Sequence, residues 1–140
     1  MHNVLLRNRL EGGAVAALLL TLTVTGCASV TEVSRDGVRL LTATGAQPGD
    51  EALITGKLVL TSGGCIGLDA QDGLNHLVIW PQGTTLAGTD PVEVSLPSGS
   101  TVTADDDIEG SGGYYTSPDD LADLIDLCDA DAEVIRIRFD

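Results

Sequence analysis

The side chains able to do chemistry are few and far apart along the chain. In Asp105-Asp106-Asp107-Ile108-Glu109-Gly110, the carboxylates of Asp105, Asp107 and Glu109 stand at alternate positions ahead of a glycine, the donor spacing used in the first half of a calcium loop. The second half fails. Counted from Asp105, the twelfth position is Thr116, where a bidentate glutamate is needed. A solvated hairpin turn leading into a Gly112-Gly113 loop is therefore the expectation, with a weak calcium or other metal site on Asp105, Asp107 and Glu109 as the alternative. His76 follows Asn75 in an apolar run, and Asp69 and Asp72 lie in the turn before it. A base and an orienting carboxylate can thus be imagined, but a structural or simply exposed histidine is the expectation. No nucleophile accompanies them, because Ser98 and Ser111 sit among glycines without the Gly-x-Ser-x-Gly elbow. No catalytic residue is assigned, and a hydrolase is only an outlying alternative. Trp80, Tyr114 and Tyr115 supply most of the aromatic surface, and aromatics are common anchors of binding faces. Tyr114 and Tyr115 are expected in a flexible Gly-rich loop, whereas Trp80, beside an apolar run, points to the core.

The start of the chain has a different character. Arg7 and Arg9 precede an apolar stretch from Ala14 to Leu20, extended by Leu22 and Val24 and diluted by threonine. That stretch is shorter than the roughly 18 residues a spanning helix needs, and it fits the apolar region of an export signal. Glu11 is a charge against the pattern. The stretch ends in Val24-Thr25-Gly26-Cys27, which resembles the lipobox of bacterial lipoproteins: an apolar residue, a small residue, Gly or Ala, then the modified cysteine. The resemblance implies cleavage after Gly26, a diacylglyceryl thioether on Cys27, and anchoring at the extracytoplasmic face of the cell membrane with the lipid bilayer as a partner. Two acyl chains suffice for stable anchoring. An ordinary secretory signal and a short membrane helix are the alternatives. In a protein so exported, Cys65 and Cys128 remain as an even pair, and a disulfide between them is expected. A rival thiol metal site lacks ligands: His76 is the one histidine left, and no Cys-x-x-Cys occurs. No cofactor is implied.

Charge narrows the partners. The net charge of the 140 residues is −14, and it becomes about −15 when Arg7, Arg9 and Glu11 leave with the leader. Such a surface repels phosphate backbones, so nucleic acid is set aside as a partner.

The elements that must position these residues read mostly as strands. Residues 27–50 mix Ser, Thr, Gly and charge and are expected as a flexible tether, with an edge strand over Gly37 to Thr42 as the alternative. From residue 51 onward, short β-type runs alternate with Gly, Pro and Asp: Ala52 to Thr61, Cys65 to Leu68, Leu74 to Trp80, Val92 to Leu96, Thr101 to Ala104 and Glu133 to Asp140. Leu77-Val78-Ile79-Trp80 is apolar without interruption and so belongs in a central strand. One helix is expected, with Ser117 as N-cap, Pro118 first, Asp119 and Asp120 in its first turn. Its Leu121, Leu124, Ile125 and Cys128 share one stripe.

The reading is a leader over 1–26, a tether over 27–50 and a mainly β domain over 51–140. That domain is a small antiparallel barrel or sandwich of five or six strands, somewhat like an oligonucleotide/oligosaccharide-binding barrel, with one α-helix before the last strand. The plan of lipobox, Gly64-Cys65 and Trp80-Pro81 also resembles small lipoproteins of high-GC Gram-positive bacteria. It implies an envelope module that binds a small ligand or an envelope protein, or has a structural part.

Overall fold

The computed structural model describes residues 30–45, 51–116 and 121–139. Among them are ten strands and one helix: β1 (Val30–Arg35), β2 (Val38–Ala43), β3 (Ala52–Leu60), β4 (Ile66–Asp69), β5 (Asn75–Trp80), β6 (Thr85–Thr89), β7 (Val92–Ser95), β8 (Thr101–Thr103), β9 (Asp107–Thr116), α1 (Ala122–Cys128) and β10 (Asp131–Arg138). The domain is mainly β, and its helix precedes the last strand, as expected.

Five of these strands close a barrel. β3, β4 and β5 form an antiparallel meander, and β9 returns to pair with β3. The spatial order β9-β3-β4-β5 is that of a Greek key. β10 closes the ring, antiparallel to β9 and parallel to β5. A five-stranded Greek-key ring is the plan of an oligonucleotide/oligosaccharide-binding type barrel. β6, β7 and β8 make a separate three-stranded sheet inserted between β5 and β9.

Alternation along the strands divides the apolar residues between two cores. Ile54, Leu58, Ile66, Leu68, Val78, Trp80, Ile108, Ile135 and Ile137 fill the barrel and continue into Leu86, Val92, Val94 and Leu96 of the small sheet. The opposite faces of β5 and β10 carry Leu77, Ile79 and Val134, which pack with Leu121, Ile125 and Cys128 of the helical segment and with Leu41 and Ala43 of β2. The unbroken run 77–80 is therefore buried on both faces, as its composition requires.

A barrel this narrow needs strands that cross closely, and glycine permits it. A methyl group at Gly112 would sit 1.9 Å from the Arg136 carbonyl oxygen, and one at Gly56 would sit 2.3 Å from that of Asp69. Gly112 and Gly113, expected in a loop, therefore lie within β9, and the missing side chain at Gly112 lets β10 come alongside.

Other expectations are corrected. The tether over 27–50 gives way, at residues 30–43, to a hairpin. Asp36 and Gly37 both have positive φ, +51° and +77°, the signature of a two-residue hairpin turn for which Asp-Gly is a strong signal. β2 then pairs with β5 through Leu41↔Ile79 and Thr42↔Trp80, so Val38, Leu40 and Leu41 are core residues. The edge-strand alternative was nearer, except that β2 is interior and β1 is the edge. Ser117 to Asp120 lie outside the described residues, and the N-cap of α1 is Leu121, which makes no side-chain cap bond. A seven-residue helix is marginal alone. Packing of the predicted Leu121–Cys128 stripe holds it instead of the cap. β6 was not foreseen, because Thr85–Thr89 carries one leucine as its apolar content beside an alanine.

Candidate functional site

The sequence-designated residues separate into four places. Cys65 and Cys128 form a disulfide, with Cα atoms 5.4 Å apart and both side chains buried. The turn before β4 presents Cys65. Thr61 is buried, its backbone N–H donates to the Cys65 carbonyl at 2.8 Å, and its Oγ1 accepts from the Cys65 N–H at 3.0 Å. Gly63 N–H donates to the Cys128 carbonyl at 3.1 Å, and a methyl group at Gly63 would strike that residue's backbone at 2.4 Å. Beyond the bond itself, Ser62 donates to Asp129, which follows the helix in the left-handed conformation with φ 49°. The bridge thus staples the β3–β4 loop to the end of α1.

That staple decides what the barrel can offer. In oligonucleotide/oligosaccharide-binding barrels, ligands lie on the face of the second and third strands, beside the first-to-second and fourth-to-fifth loops. Those strands are β4 and β5 here. The outer side chains of β5, Leu77 and Ile79, are fully buried under Leu121, Ile125 and Cys128. The chain's own helix occupies that face.

His76 stands at the start of β5, on the same side as Val78 and Trp80, and is fully buried. Its Nδ1 lies 2.9 Å from the Glu133 carbonyl oxygen and its Nε2 2.7 Å from Asp72 Oδ2. Both partners are acceptors, so the ring satisfies both only with a hydrogen on each nitrogen. Burial by itself would lower its proton affinity, but the bonds to Asp72 and Glu133 outweigh burial and raise its pKa above 6.5. The same hydrogen bond from His76, helped by the Leu74 N–H, holds Asp72 below its ordinary carboxylate value. Of the two aspartates in the preceding turn, the structure brings only Asp72 to the histidine. Asp69 instead accepts from the Gln71 N–H at 2.9 Å.

Tyr114 and Tyr115 belong to β9 rather than to a loop and diverge from one another. The Tyr114 ring meets the His76 ring edge-on at 5.9 Å while remaining 40% exposed. Burial, with the charges of Asp72 and Glu133, raises its pKa. Tyr115 lies under the Arg136 guanidinium, 5.6 Å from ring centroid to carbon. Trp80 is fully buried and stacks on Phe139 at 6.2 Å. It is a core residue and offers no surface for the binding expected of it. Its proximity to an apolar run carried that signal.

Asp105, Asp107 and Glu109 do not converge. Lys57 donates to Asp107 Oδ1 at 3.0 Å, and that bond raises the lysine's pKa above 10.5. Asp106 accepts from the Thr103 N–H at 2.8 Å and hydroxyl at 2.9 Å, which lowers its own pKa. No three His, Cys, Asp or Glu side chains among the described residues gather to hold an ion. Two shallow clefts of about 320 and 260 Å³ flank Glu109 on β9, the first lined by Leu53, Ser111 and Phe139, the second by Thr55, Gln71 and Asp107.

Cys27 and residues 1–26, expected as a leader, lie outside the described residues. Among the described residues, no helix is long and apolar enough to cross a membrane. No protein family, curated protein or solved structure matches the chain.

Proposed function

We propose that the chain is an exported lipoprotein of a bacterial cell envelope, anchored to the membrane through acylated Cys27, whose β-barrel domain binds a ligand or envelope protein or serves a structural part there. The observation that carries this is Val24-Thr25-Gly26-Cys27 at the end of an apolar stretch preceded by Arg7 and Arg9. The disulfide supports it, since such bonds persist in oxidising compartments. The hairpin modifies the picture of a long tether. Cys27 precedes β1 by three residues, and at about 3.6 Å per extended residue the anchor reaches no more than about 11 Å from Val30. The domain then rides close to the bilayer.

Acyl-chain labelling and membrane fractionation test this. The wild-type protein is expected to take up label and sediment with membranes, its intact mass beginning at Cys27. Cys27→Ser is expected to lose essentially all of the label. An unacylated cytosolic chain beginning at Met1 refutes the reading.

A further inference from the structure

We propose that His76 and Asp72 form a protonation latch: the imidazolium, bonded at one nitrogen to β10 and at the other to the β4–β5 turn, ties that turn to the barrel, and loss of its proton frees residues 70–74. The geometry is that of a clasp between two elements. Glu133, whose carbonyl takes Nδ1, is fixed in the β10–β9 ladder opposite Thr116. Asp72, which takes Nε2, stands on an exposed turn. The turn's other side-chain bonds, Gln71 N–H to Asp69 at 2.9 Å and Leu74 N–H to Asp72 at 3.0 Å, shape the turn without fastening it to β9 or β10.

A neutral ring has one hydrogen to give. Kept on Nδ1, it preserves the bond to the fixed carbonyl and leaves the Nε2 lone pair facing an anionic oxygen 2.7 Å away. Asp72 can relieve that repulsion by moving into water; Glu133's carbonyl cannot. Release of Asp72 uncovers His76 and the inner edge of Tyr114, whose ring abuts it. Ionisable groups stand on every neighbouring element: Asp72 on the turn, Tyr114 on β9, Asp131 and Glu133 on β10, and Asp69 at the end of β4, opposite Asn75 rather than His76. The Asp131 carboxylate is engaged by the Asn75 N–H at 2.7 Å and that of Asp69 by Gln71, which leaves Asp72 as the hydrogen-bonded counter-ion.

The direction of the pH response follows. His76 titrates above 6.5 in the closed state, so the latch is fully engaged below about 6.5 and is lost as pH rises through the closed-state midpoint. At the acid end, Asp72 is held below 3.8, and the latch fails again as pH falls through that lowered value.

The test uses the protein recovered from membranes in detergent micelles with ¹⁵N-labelled histidine; in a chain beginning at Cys27, His76 is the one histidine and needs no further assignment. Below the midpoint both His76 nitrogens are expected to carry hydrogen, and the midpoint is expected above 6.5. Asp72→Asn should move it down. Exchange of the Leu74 amide, corrected for the chemical rate, should rise across the midpoint by about tenfold for each unit by which the midpoint exceeds 6.5. A ring with a single hydrogen at pH 6, a midpoint indifferent to Asp72→Asn, or exchange without a step overturns the latch. The wild-type titration and exchange decide the matter even if the variant does not fold.

Discussion

Gly112→Ala is expected to cost at least about 3 kcal/mol or to prevent folding, because the added carbon has nowhere to go. It would sit 1.9 Å from the Arg136 carbonyl oxygen and 2.9 Å from the carbonyl carbon. Neither atom belongs to a side chain that can turn aside. Moving them means pulling β10 away from β9, and β10 also carries the parallel pairing to β5 that closes the ring. The clash is thus paid by the whole barrel. Gly45→Ala is the control: among the described residues no atom lies within 4 Å of an added methyl there, and the change should stay within about 0.5 kcal/mol. Urea unfolding of both variants measures the contrast. Equal midpoints for the two would show that β9 and β10 do not approach as closely as described.

Removing the disulfide should be of similar consequence. Cys65 and Cys128 are 63 residues apart, and the chain-entropy relation for a closed loop of that length gives roughly 4 kcal/mol. Since a small domain holds about 5–15 kcal/mol in total, the Cys65→Ala, Cys128→Ala pair should lose a large fraction of its stability. The helix should suffer first. α1 has seven residues and no side-chain cap, so the bridge and the burial of Leu121 and Ile125 are what keep it on β5. Circular dichroism across a urea series reads both effects: loss of helical signal at lower urea than β signal, and a midpoint well below that of the oxidised parent. A variant as stable as the parent would mean that packing alone carries the helix.

These predictions bear on function through one surface. With Leu77 and Ile79 covered by the helical segment, the outer face of β5, which corresponds in position to the ligand face of oligonucleotide/oligosaccharide-binding barrels, is covered by the chain itself. The chain's net charge of −14 also opposes a phosphate-rich ligand. The β4–β5 turn, beside which the His76 and Tyr114 rings meet edge-on, is where the proposed latch would open.

Much of this was legible from local pattern. Alternation identified β7 and β10, a β-type run bounded by turn residues identified β3, the uninterrupted run 77–80 identified a strand buried on both faces, and i, i+3, i+4, i+7 spacing placed Leu121, Leu124, Ile125 and Cys128 on one stripe of the helix. Thiol parity named the partners of the disulfide. The strands and the helix stripe are visible because period is a property of neighbouring residues, whereas the cysteine pair followed from a count once Cys27 was read as the acylated residue. What tertiary structure decided concerns residues distant in the chain. Gly112 looks like a loop glycine until β10 is laid against it, and only then does it become the condition for a close strand approach. The short patch Val38-Leu40-Leu41 has no evident use until β5 offers it an edge. His76 chose Asp72 over Asp69 and the Glu133 carbonyl 57 residues away. Local sequence determines which faces are apolar; ring closure determines which backbones touch, and that is where the small residues and the buried charge acquire their roles.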